Sequence, residues 1–138
     1  MSGPTPSTGP SLRIHGLVLF VLLIAELLLG NQLAVIGSPY PIGWIAAHVG
    51  LALVTIAFSV LAFLVSLPSA RVAARASSLV TSLATIGATV SGTLFLYAGG
   101  SRGSLIGMEA LGGIALLGSI LLIVWGSSAT PPAAPRPA

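Results

Sequence analysis

Residues 44–67, WIAAHVGLALVTIAFSVLAFLVSL, run for about 24 positions without a formally charged side chain. At 1.5 Å rise per residue, a helix of that length crosses a hydrocarbon layer of roughly 30 Å. Lipid supplies no hydrogen-bond partners, so such a run must satisfy its own backbone, and a helix does so within one segment. One side chain interrupts the apolar pattern. His48 stands about one turn inside the run, and its ring nitrogens need a partner that hydrocarbon cannot give.

The rest of the chain repeats the pattern. Four spans are predicted, over about 12–34, 44–67, 76–98 and 105–125, forming a single transmembrane domain across residues 12–126. Apolar residues make up 55% of the 138 and charged residues 5%, against about 25% charged in a soluble domain. The charges are Arg13, Arg71, Arg75, Arg102 and Arg136 against Glu26 and Glu109. Scattered arginines do not make the clustered basic face of a nucleic-acid-binding protein. With no cysteine there is no disulfide and no thiolate metal site. Residues 1–11 and 127–138 are rich in Pro, Gly, Ser and Ala and are expected to be disordered. Arg13 followed by apolar residues 17–29 also has the layout of a signal peptide, but the apolar run is long and its cleavage signal poor.

An even number of spans puts both termini on one side. Arg13, Arg71, Arg75 and Arg136 then share that side and Arg102 lies on the other. The positive-inside rule makes the first side cytoplasmic. Short links force neighbouring helices antiparallel, so the expected fold is an all-α, up-down four-helix transmembrane bundle in the cell membrane. The links 37–43 and 98–104 are too short to hold a soluble active site.

Depth follows from this topology. His48 falls about 6 Å below the outer boundary, and Met108 and Glu109 fall at a similar level. Glu26 falls roughly 8–15 Å below it, and Tyr97 closes the third span on the same side. The intramembrane polar residues are thus Glu26, His48, Tyr97 and Glu109 in the outer half, with His15 near the inner boundary. A carboxylate at a helix centre costs about 2.5–3.5 kcal/mol, so Glu26 and Glu109 need a proton, a partner or a ligand. The plain alternatives are a hydrogen bond between His48 and Glu26 or a carbonyl, a first-turn dipole role for Glu109, and packing for Met108. Ala84, Ala88 and Gly92, four apart, suit close helix packing. No phosphate loop, HExxH helix or nucleophile setting is present, so no independent enzyme is expected.

Two families share part of this pattern. LLLGNQLAV and AAHVGLALV, within residues 25–65, resemble one half of the haem A synthase family. That resemblance implies that His48 occupies a haem-ligand position. The chain has one four-helix unit where the family has two, Glu26 where it has Gln, and neither the loop Cys pair nor the Glu-x-x-His-Arg motif. A faint repeat relates Ile24, Ala25, Glu26 and Gly30 to Ile86, Gly87, Ala88 and Gly92, and makes Met108 the equivalent of His48. His48 and Met108 are then candidate axial ligands of a b-type haem. Ala25-Glu26 and Leu105-Ile106-Gly107-Met108 resemble the small multidrug-resistance transporters, which implies that Glu26 binds cation and proton in turn. The third span lacks that family's Trp and its Ala-Tyr segment.

Three functions are therefore expected in competition. The first, and the favoured one, is a non-catalytic accessory subunit of a membrane redox or respiratory complex, with a b-type haem on His48 left open. The second is a small proton-coupled transporter using Glu26. The third is a structural subunit whose polar residues meet other membrane chains.

Overall fold

The computed structural model describes residues 9–97 and 101–127. It is all-α: α1 (Gly9–Ile36), α2 (Ile42–Ser66), α3 (Val72–Tyr97) and α4 (Arg102–Ser127). Each helix is long and apolar enough to cross a membrane, and the protein is a multi-pass four-helix bundle. The packed neighbours are α1 with α2, α2 with α3, α3 with α4 and α4 with α1, so the chain runs around the bundle. The links carrying Arg71 and the start of α1 lie at one end, here called the arginine end.

Helix limits differ from the expected spans where local chemistry outweighs hydropathy. α1 starts at Gly9, inside the stretch expected to be disordered; Pro10 suits a first helical turn because its missing N–H has no partner there anyway. The expected disorder of residues 1–8 and 128–138, and the end of the third span at 98, lie outside the described residues. α1 ends at Gly37, whose φ of 71° closes the helix in the left-handed region that L side chains avoid. Its N–H donates to the Leu33 carbonyl at 3.1 Å. α3 begins at Val72 rather than 76 and takes Arg75 into its first turn. Just before it, the Arg71 N–H donates to Ser69 Oγ at 3.2 Å. Arg71 Nη1 also donates to the Trp125 carbonyl at 2.8 Å, tying this link to the last turn of α4.

The bundle is apolar outside and small or polar inside. Val35, Leu28, Leu53 and Leu117 face outward, while Ser59, Ser66, Ser78, Thr81 and Ser119 are fully buried. Lipid solvates leucine as well as a protein core does, so helix association relies on close backbone approach and on hydrogen bonds. Glycines supply the approach around α4. A Cβ at Gly16 would lie 2.9 Å from Ser119 O and Ile123 N, and one at Gly126 would lie 2.5 Å from Arg13 N. Hydroxyls supply the bonds between α2 and α3: Ser66 and Ser78 pair at 2.6 Å, and Ser82 Oγ donates to Ser59 O at 2.7 Å. Leu12, Leu19, Ala62, Ala74 and Leu122 fill the core toward the arginine end, and Leu23, Ala84 and Ala115 its middle. Toward the other end the packing gives way to a cavity.

Candidate functional site

The cavity has a volume of ≈ 180 Å³ and is bounded by all four helices. Most of its wall is apolar, from Leu23, Leu27, Ala52, Leu53, Ala88 and Leu96. Its polar members are Glu26 from α1, His48 and Thr55 from α2, and Thr85, Thr89 and Thr93 from α3. Met108 completes it from α4.

Glu26 and His48 meet. Their Oε2 and Nδ1 atoms are 2.8 Å apart, and both side chains are nearly buried, 13% and 11% exposed. The ring N–H does not line up on the carboxylate oxygen, so the contact is a close approach of the two groups and not an aligned hydrogen bond. Glu26 sits about 15 Å along α1 from its end at Ile36, while His48 sits about 9 Å along α2 from Ile42. The imidazole therefore reaches roughly a helical turn deeper to find the carboxylate. Glu26 Oε1 is buried and has no hydrogen-bond partner among the described residues. Such an atom carries a desolvation cost unless something else supplies a donor.

His48 and Met108 pack together between two glycines. A Cβ at Gly92 would lie 3.2 Å from Met108 Sδ and 3.7 Å from His48 Nε2. A Cβ at Gly30 would lie 3.1 Å from Met108 Cε and 3.4 Å from His48 Cε1. Gly30 and Gly92 are equivalent in the faint sequence repeat, as are His48 and Met108, and the structure brings all four to one level. Glu26 and its counterpart Ala88 both line the cavity. A space of ≈ 180 Å³ is close to one that takes up benzene and smaller than a porphyrin. Haem ligation by His48 and Met108 therefore requires the bundle to open around Gly30 and Gly92. Among the described residues no group of three His, Asp or Glu is placed to hold a metal ion.

The other polar residues lie elsewhere. Tyr97 and Glu109 are exposed on the outside of α3 and α4. His15 is at the arginine end, where its Nδ1 lies 2.7 Å from the Ser11 carbonyl, a contact within its own helix. Sequence reasoning did not single out Thr55, Thr85, Thr89 or Thr93. Their signal was available in part: Thr81, Thr85, Thr89 and Thr93 recur every four residues and so share one face of α3. No protein-family model, curated protein or solved structure matches the chain.

Proposed function

We propose that this chain is a small proton-coupled transporter for an apolar cation, with Glu26 and His48 as its exchange site. The observation that carries this reading is the 2.8 Å Glu26–His48 contact on the wall of a cavity, with the second carboxylate oxygen unpartnered. The pair holds one exchangeable proton, as carboxylate with imidazolium or as acid with neutral imidazole. Both forms are neutral overall. A net charge so deep in the bundle is costly, so the site favours one positive charge opposite the carboxylate. A ligand cation beside Glu26 supplies that charge, and the proton leaves for solvent. Proton and cation then occupy the site in turn.

The test uses purified, weakly buffered protein. Saturating it with phenylethylammonium chloride should release a proton for each ligand bound, and Glu26→Gln should release none. A wild-type protein that binds the cation without releasing protons would sink the exchange reading.

Glu109 favours a second reading. It stands exposed on α4, about 10 Å along the helix from Arg102, where a lipid-facing carboxyl needs a partner. A neighbouring membrane chain that covers it would make this protein a subunit of a larger assembly, a redox complex included. That reading expects co-purification with other membrane chains in mild detergent, weakened by Glu109→Leu. Isolation of the chain alone under those conditions counts against it.

A further inference from the structure

We infer that the cavity chooses its ligand by hydrogen-bond donors: it takes an apolar body carrying an ammonium group that retains N–H bonds, reached from the bilayer between α2 and α3. This rests on the exchange reading above, and extends it from charge to chemical class.

A threonine hydroxyl has one proton to donate and lone pairs with which to accept. Thr55 Oγ1 donates to Leu51 O at 2.9 Å. Thr85 Oγ1 donates to Thr81 O at 2.8 Å, Thr89 Oγ1 to Thr85 O at 3.0 Å and Thr93 Oγ1 to Thr89 O at 2.8 Å. All four residues line the cavity, Thr55 and Thr85 almost wholly buried and Thr89 and Thr93 more open, with their protons already committed to their own helices. Back-bonding of this kind is common in membrane helices and indicates nothing alone. Here it coincides with a buried carboxylate oxygen, Glu26 Oε1, that has no hydrogen-bond partner among the described residues. Once the shared proton has left, with the remaining imidazole proton on Nδ1 beside Glu26, His48 Nε2 is also an acceptor, and Met108 Sδ is at most a weak one. Apart from the Nδ1–H beside Glu26, the polar side chains around the cavity then offer acceptors.

An acceptor-rich wall distinguishes cations that charge alone does not. A primary ammonium brings three donors; its N-trimethyl analogue carries the same charge and none. The cavity's size, close to that of one accommodating benzene, suits a single aryl or short alkyl body. Access follows from the same lining. Leu53 is 62% exposed and Val49 40% exposed on α2, and Thr93 is exposed on α3, yet all three line the cavity. The cavity therefore reaches the bundle surface between α2 and α3. Toward the arginine end the same two helices are fastened by the Ser66–Ser78 and Ser82–Ser59 contacts.

The experiment compares phenylethylammonium with phenylethyltrimethylammonium on the full chain in detergent. Apparent affinity is read from the ligand-dependent rise in Tm, and proton release is followed in the same samples. The N–H form should bind about tenfold more tightly, as hydrogen bonds from a charged donor allow. Thr89→Val keeps the shape and removes the acceptor, and should cut that ratio severalfold; Thr85→Val replaces it should the first variant not fold. Thr89→Ser restores the acceptor and should restore the ratio. The two ligands differ in hydration, so the decisive quantity is the change in ratio between wild type and variant. A ratio unmoved by Thr→Val, with protons still released by both ligands, overturns donor selection and leaves proton exchange standing. Binding without proton release overturns the exchange reading, and no binding of either ligand overturns both.

Discussion

His48→Leu is expected to destabilise the bundle by about 3 kcal/mol, and Glu26→Leu/His48→Leu to recover most of that loss. The single substitution leaves Glu26 buried with neither oxygen paired. Removing both groups leaves an apolar wall that costs little where the packing can fill it. Thermal unfolding of the two single variants and the double variant in one detergent gives the coupling energy directly. Losses that simply add would show that the 2.8 Å contact carries no coupling. The double variant should also lose proton release, which separates what the pair does for function from what it does for stability.

Gly16→Leu is expected to cost at least about 3 kcal/mol, at the upper end of overpacking losses. The added Cβ would sit 2.9 Å from Ser119 O and Ile123 N. Both are backbone atoms of α4, so relief requires α1 and α4 to separate rather than a rotamer to turn. That separation removes the packing on which association in lipid depends. Gly113→Ala, set beside Gly16→Ala, is the matched control, because a Cβ at Gly113 meets nothing within 4 Å. It should be neutral or raise stability by up to about 1 kcal/mol, since alanine is the better helix former. Equal losses at the two positions would refute the close α1–α4 approach.

Much of the site was legible in outline. His48, Glu26 and Met108 stood out because titratable and thioether groups are few in the outer halves of these spans. Topology put them in the same half. The repeat placed Gly30 with Gly92 and His48 with Met108. What depth could not supply was azimuth. Glu109 is adjacent to Met108 in sequence and so nearly level with it, yet Met108 is buried and Glu109 exposed. Successive helical residues point about 100° apart, and apolar residues all round a span leave the buried face unmarked. The threonines were overlooked for a related reason. Residue type does not reveal whether a hydroxyl proton is free or already bonded to the preceding turn.

The sequence alone determined that this chain crosses a membrane four times, because uncharged runs of that length have no other way to satisfy their backbone in lipid. It also determined the antiparallel order, through links too short for anything else. Tertiary structure decided which faces turn inward. Close approach at Gly16, Gly30, Gly92 and Gly126 sets the rotation of the helices, because contact in lipid is won by packing and not by hydrophobicity. That rotation brings His48 onto Glu26 and leaves a cavity beside them.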